Sequence, residues 1–355
     1  MNLGVMSADS KRVEMTPGGQ TFEVYAEETI LQAAERQGVA IRYGCRHGNC
    51  STCKYLLLEG EVDYGGASPY SLPESEREEG WVLLCVAHPL EDLIVQDNLV
   101  SGLRALPFLP PTEQVARVAR VEAVSGGIFR MVLDLSEPMT FYPGQFSELG
   151  VANVAGEWRS YSMATPPSSD KSLGFVIQGI EGGAFSGMIK DLASGSEVRI
   201  RGPFGDGYLR DGEGPILLVA GGGSGVAPIL SILHHIAETG SSRPITLVYG
   251  ARQREGLVAL EEIGSLAERL NLNTVLCLSE PRDEDKWDGF VGDVTRAVQS
   301  FVGGAEDLDS YLCGKPEMCD SLRRLLEAKG LREGRAFADP FFPAVVSGTK
   351  LVGLS

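Results

Sequence analysis

Two β-rich runs at the ends of RVEMTPGGQTFEVYA (residues 12–26) flank Pro17, Gly18 and Gly19, and together they predict a hairpin. The period then changes. In EETILQAAERQG (27–38), Ile30, Ala33 and Ala34 fall on one side of a helix, with Thr29 placed as its N-cap and Gly38 as its stop. A proline-rich stretch, SGLRALPFLPPTEQ (101–114), follows and reads as an extended, semi-rigid tether. From Val115 to about Arg210, short apolar runs such as IFRMVLDL and LGFVIQGI alternate with Gly and Pro, the pattern of a small antiparallel barrel or sandwich. After Gly214, the buried-looking strands PILLVAG, ITLVYGA, NTVLCLS and DSYLCGK are separated by helical segments such as APILSILHHIAETG, and that alternation predicts a parallel α/β sheet. The expected organisation is a first domain over 1–103, a linker over 104–114, a β domain over 115–211 and an α/β domain over 212–355.

At 355 residues the chain exceeds what one core usually organises, in agreement with several domains. The first residues carry no apolar signal core, and no apolar run approaches the ~20 residues that span a bilayer, so a cytoplasmic protein without a membrane partner is expected. The formal net charge of −17 argues against nucleic acid as a partner, because phosphate binding leans on clustered Lys and Arg. More than half of that excess lies in residues 1–103, which hold 16 acidic and 7 basic side chains.

Three of the seven cysteines, Cys45, Cys50 and Cys53, fall within nine residues, and Cys85 follows in GWVLLCVAHP. In a reducing compartment, clustered cysteines ligate metal or do redox work more often than they form disulfides. C-x4-C-x2-C with a distant fourth Cys is the spacing of a plant-type [2Fe-2S] site, whereas structural zinc usually shows two close pairs. Gly44, Gly48, Asn49, Ser51 and Thr52 are small enough to turn backbone N–H groups toward an anionic cluster. His47 and His88 read as exposed loop residues, since four ligands are already cysteine. With GCRHGNCSTC and DYGGASPYSL, residues 42–100 resemble the amino-terminal ferredoxin domain of the reductase components of soluble di-iron monooxygenases. The resemblance implies a β-grasp fold for this domain.

In WRSYSMA, alternation puts Arg159 and Tyr161 on one face of a strand and Ser162 on the other. An arginine can neutralise a flavin diphosphate, a tyrosine can pack on the flavin, and a hydroxyl can hydrogen-bond its N5; an ordinary exposed strand is the alternative. YPGQF lies upstream, and GGAFSG lies downstream, opening a run expected to be helical, where Gly182, Gly183 and Ser186 can offer donors to phosphate. The set, in this order, resembles the flavin barrel of the ferredoxin–NADP reductase superfamily and implies FAD, with FMN used by a related branch. In PILLVAGGGSGVAP, the glycines Gly221, Gly222, Gly223 and Gly225 separate a strand from a helix expected to begin at Pro228, a phosphate cradle. Val226 stands where G-x-G-x-x-G needs its last glycine, which argues against a dehydrogenase-type domain and for the reductase superfamily.

By the same resemblance, Cys313 and Gly314 of YLCGKPEM lie near the nicotinamide, and Phe341 of FADPFFP shields the flavin, with Phe337 and Phe342 in the core. Cys277 and Cys319 read as buried structural thiols. Arg252 and Arg254 could meet a 2′-phosphate, yet the YGAR context resembles NADH-using reductases, so NADH is expected. The resemblance as a whole implies electron transfer from NADH to FAD to [2Fe-2S] to a di-iron hydroxylase, docked transiently and electrostatically. A reductase of a Rieske-type aromatic-ring dioxygenase and a plain electron carrier are the alternatives.

Overall fold

A computed structural model of the chain describes residues 10–39, 41–43, 46–48, 51–96, 106–107, 109–152, 158–168, 170–332 and 334–341. Cys45, Cys50 and Phe342 lie outside these residues.

Strands β1 (Ser10–Thr16) and β2 (Gln20–Tyr25) form the expected antiparallel hairpin, with Gly19 at φ +65° in its turn. Helix α1 (Ile30–Arg36) starts from a capping box: the Thr29 hydroxyl accepts from Gln32 N, and the Gln32 side chain accepts from Thr29 N. It buries Ile30, Leu31, Ala33 and Ala34, and Gly38 follows in the left-handed region. Then come β3 (Lys54–Glu59), β4 (Val62–Asp63), α2 (Glu74–Glu78), β5 (Trp81–Leu83), β6 (His88–Pro89) and β7 (Leu93–Gln96). The sheet order is β2-β1-β7-β3-β5, with β1 and β7 parallel and every other pair antiparallel, the mixed sheet of a β-grasp fold. Its core, built around Val13, Phe22, Ile30, Tyr55 and Val95, draws on residues from this segment alone.

The second sheet contains β8 (Thr112–Ser125), β9 (Ile128–Leu135), β10 (Phe146–Val151), β11 (Trp158–Ser162), β12 (Ser172–Gln178) and β13 (Glu197–Phe204). All its ladders are antiparallel, in the order β11-β10-β13-β8-β9-β12, and a bridge between Met163 and Phe175 joins the two ends into a barrel. Strand β8 begins at Thr112, so the last residues of the proline-rich stretch already pair with β13. Pro107 is also held, its carbonyl accepting from the Tyr142 hydroxyl at 2.9 Å.

The third sheet is wholly parallel, with the order β17-β16-β15-β14-β18-β19. In chain order it is made from β14 (Ile216–Gly221), α3 (Ala227–Thr239), β15 (Ile245–Ala251), α4 (Leu260–Ala267), β16 (Leu272–Leu278), β17 (Phe290–Val291), α5 (Val294–Phe301), β18 (Asp309–Gly314), α6 (Pro316–Ala328) and β19 (Ala336–Pro340). Barrel and parallel sheet are fused: Ile128, Ala164 and Val176 of the barrel belong to the same core as Leu218, Val226, Ile229 and Leu230. Buried Ser231 donates its hydroxyl to Thr165 O at 2.7 Å across that seam. Outside it, Glu262 is gripped by Arg130 of the barrel at 2.5 Å and His234 of α3 at 2.6 Å. The β-grasp unit meets the barrel through Tyr43, whose ring lies 5.6 Å from that of Phe204. No helix among the described residues is long and apolar enough to cross a membrane.

Candidate redox centres

Cys53 precedes β3 and Cys85 follows β5, two strands that pair with each other, and Leu84 N donates to Cys53 O at 3.0 Å. The antiparallel ladder therefore delivers two buried sulfurs side by side. Between Cys45 and Cys53, Arg46 (φ +62°) and Ser51 (φ +58°) sit in the left-handed region, which costs a non-glycine residue roughly 1–2 kcal/mol. Such backbone persists where surroundings over-determine it, and successive turned peptides make the concave N–H surface that an anionic iron–sulfur core requires. The ASPYSL stretch braces this loop at two points, Ser68 N donating to Gly48 O and the Ser51 hydroxyl donating to Ser71 O. The described part of the loop thus fits a [2Fe-2S] cluster. His47 is exposed, as expected; His88, expected in a loop, is half-buried in β6.

Arg159, Tyr161 and Ser162 lie on β11. Tyr161 is packed 5.5 Å from the Phe185 ring and hydrogen-bonded to Ser186, and burial pushes its phenol up to about 12. The two sequence motifs, R-x-Y-S and GGAFSG, are therefore one site. A Cβ on Gly183 would fall 2.5 Å from the Ser186 hydroxyl and 3.0 Å from Ile180 O, so a side chain there would displace that hydroxyl. The run beginning at Ser186 is a 3-10 helix of six residues, Ser186–Asp191, and not the expected longer helix, so phosphate would be held by local N–H and O–H groups rather than by a helix dipole. Arg159 gives one N–H to Trp158 O at 2.8 Å, and among the described residues no other hydrogen bond engages its guanidinium. These groups fit a flavin diphosphate.

The glycine loop leaves β14 at Gly221, passes Gly222, and makes a 3-10 turn over Gly223–Val226 before α3, in which Pro228 is the second residue rather than the first. It rides over the end of β18: a Cβ on Gly225 would sit 3.2 Å from Cys313 O. Backbone this close to backbone leaves its outer face open to a pyrophosphate. Cys313 is buried, and burial followed by nearby Asp339 pushes its thiol well above the usual range, so it is a neutral packing group and not a thiolate. Phe341 N donates to Gly314 O at 2.7 Å, which hangs the half-buried Phe341 beside the Cys313–Gly314 turn.

One candidate side chain is not marked by any sequence motif. Asp339, paired in register with Cys313, accepts a 2.8 Å hydrogen bond from the Ser162 hydroxyl, with both residues buried. Ser162, Cys313, Asp339 and Phe341 thus converge at the seam of barrel and parallel sheet, although they span 179 positions of sequence between first and last. The signal was an acid placed two residues before Phe341 in FADPFF. Phe337 does stack on Tyr311 at 5.1 Å under the Arg210 guanidinium, a core position. Cys277 and Cys319 are buried, and burial pushes both thiols up to about 12.

Comparison with known proteins agrees with this arrangement. Residues 13–90 match the 2Fe-2S iron-sulfur cluster binding domain family, 115–208 the oxidoreductase FAD-binding domain family and 218–324 the oxidoreductase NAD-binding domain family. The chain is 35% identical to the propane 2-monooxygenase reductase component of Gordonia sp. (strain TY-5), over 94% of this chain and 98% of that protein. It is 37% identical to the phenol 2-monooxygenase reductase component of Pseudomonas sp. (strain CF600), over 94% and 95%. Among solved structures it superposes on the Amycolatopsis cytochrome P450 reductase GcoB with a TM-score of 0.75 and 31% identity, over 94% of this chain and 99% of that one. A β-grasp unit carrying buried cysteines, a barrel and a parallel sheet, in the same order and over nearly the whole length of such relatives, place this chain in the family of monooxygenase reductase components.

Proposed function

We propose that the chain oxidises NADH and passes the electrons through FAD and a [2Fe-2S] cluster to the di-iron hydroxylase of a multicomponent monooxygenase. FAD supplies the step between a two-electron donor and a one-electron cluster. The observation that carries the reading is the convergence of Ser162, Asp339, Cys313 and Phe341 at the barrel–sheet seam, with the glycine loop alongside. Arg159, Gly183 and Ser186 hold the flavin diphosphate, and Tyr161 walls its site. Gly221, Gly222, Gly223 and Gly225, with the start of α3 at Pro228, hold the coenzyme pyrophosphate. Ser162 presents its oxygen to the flavin, and Asp339 fixes the direction of that hydroxyl. Cys313 and Gly314 shape the nicotinamide pocket, and Phe341 closes it. Cys45, Cys50, Cys53 and Cys85 ligate the cluster. The reading as a dioxygenase reductase is not favoured beside relatives that serve propane and phenol monooxygenases.

The partner is a hydroxylase component, and docking to it is transient and electrostatic. The acidic excess of residues 1–103 meets a basic surface, so turnover with the hydroxylase falls as salt approaches physiological strength, where the screening length is about 8 Å. The units follow the boundaries 1–103, 104–114, 115–211 and 212–355, and the protein works in the cytoplasm, where the cysteines stay reduced. Analysis of the purified protein tests the core of this reading: one FAD with two irons and acid-labile sulfide per chain, bleached by NADH without oxygen, is expected. Zinc in place of iron, or flavin that NADH leaves oxidised, overturns it.

A further inference from the structure

Gln178 ends β12 at the lip of the glycine loop. Its amide nitrogen faces three carbonyls, Gly126 O and Gly127 O at 3.2 Å and Gly179 O at 3.5 Å. Only the NH2 end can satisfy acceptors, so these contacts fix which way the amide points. The opposite end, Oε1, lies 3.4 Å from where a Cβ on Gly223 would be, with the Ile128 side chain at 3.5 Å from the same point. Gly223 holds φ +72° and carries no side chain, so no side chain of the loop stands between its backbone and Oε1. No donor among the described residues reaches Oε1. The result is an acceptor anchored from behind and aimed at the coenzyme loop from the flavin side.

We propose that Gln178 positions the nicotinamide half of the coenzyme by accepting a hydrogen bond from one of its N–H or O–H groups. The inference rests on the proposed coenzyme site and adds a residue to it. Position decides which half is contacted. The pyrophosphate belongs on the glycine loop, and whatever lies between that loop and the barrel is the portion that must reach the flavin. On that portion the donors are the carboxamide NH2 and the ribose hydroxyls. A glutamine also suits the task electrostatically, because a carboxylate in its place would oppose both the carbonyls behind it and the phosphates in front.

Equilibrium binding to the FAD-loaded protein tests this, with NAD+ and ADP as paired probes. Gln178→Leu removes the acceptor. It should weaken NAD+ roughly fivefold, the worth of one neutral hydrogen bond, and leave ADP within about twofold. Flavin content and melting temperature report whether the 126–127 turn survives loss of its anchor. Equal weakening of both probes would mean a displaced loop and overturn the proposal, as would unchanged binding of both. Failure of the coenzyme site itself looks different: the unsubstituted protein would then bind neither probe.

Discussion

Removing the Asp339 carboxylate tests how the barrel and the parallel sheet cooperate. Its bond to Ser162 is short at 2.8 Å, charge-assisted and shielded, with Ser162 6% and Asp339 8% exposed. Hydrogen bonds to charged groups contribute about 1.5–3 kcal/mol, and a buried hydroxyl left without its acceptor is free to rotate away. If the hydroxyl must hold one direction for hydride to arrive, Asp339→Ala slows NADH-driven flavin bleaching about ten- to hundredfold. Asp339→Asn keeps a neutral acceptor of the same shape and recovers part of the rate. Anaerobic stopped-flow absorbance under saturating NADH reads this directly, with FAD content measured alongside. A rate within about twofold of the unsubstituted protein, with FAD fully bound, would refute the positioning role. Loss of FAD instead would reassign the pair to holding the barrel against the sheet.

Other changes separate the remaining parts. Cys50→Ser is expected to cost the cluster a ligand and stop delivery to the hydroxylase while NADH still reduces ferricyanide; full monooxygenase turnover from cluster-free protein would contradict the electron route. Phe341→Ala alters hydride-transfer kinetics and coenzyme affinity with FAD retained, and unchanged NADH kinetics would leave the tail a packing element. Burial alone would raise the Glu262 carboxyl, but the His234 hydrogen bond and the Arg130 guanidinium outweigh it and hold the group below its ordinary 4.5. A carboxyl depressed in the fold stabilises above its unfolded value and loses that stabilisation as pH falls through the lower folded one. Glu262→Gln should therefore flatten the acid limb of a melting-temperature profile; an unaltered limb would show that the clamp adds nothing.

Local grammar carried much of the fold. Thr29 ahead of an apolar helical run announced an N-cap, and Pro17-Gly18-Gly19 announced a hairpin, because each device is complete within a few residues. The cysteine spacing and R-x-Y-S were legible for the same reason. What stayed hidden joins distant segments. The Met163–Phe175 bridge that closes the barrel has no counterpart in any local period. The Ser162–Asp339 bond spans 177 positions: the motif marks Ser162, but no local pattern marks Asp339 as its partner. Apolar Ile128 and Val176 announced strands but not that their side chains would join the core of the parallel sheet. The 3-10 geometry after Gly183 was hidden too, since a glycine-flanked FSGMIKDL suits either helix on periodicity.

Two kinds of boundary run through this molecule, and they age differently. Where Ile128, Ala164 and Val176 complete the core of the parallel sheet, neither partner can drift in sequence without the other repacking, so barrel and sheet descend as an inseparable couple. The β-grasp unit closes its core from its own residues and offers the barrel mainly a surface around Tyr43. It can be traded like a plug. Grafting a different ferredoxin through residues 104–111 should give a working NADH-oxidising reductase wired to a new outlet, whereas a graft between barrel and sheet should yield inclusion bodies. A lineage built this way can change which oxygenase it feeds without relearning how to burn NADH.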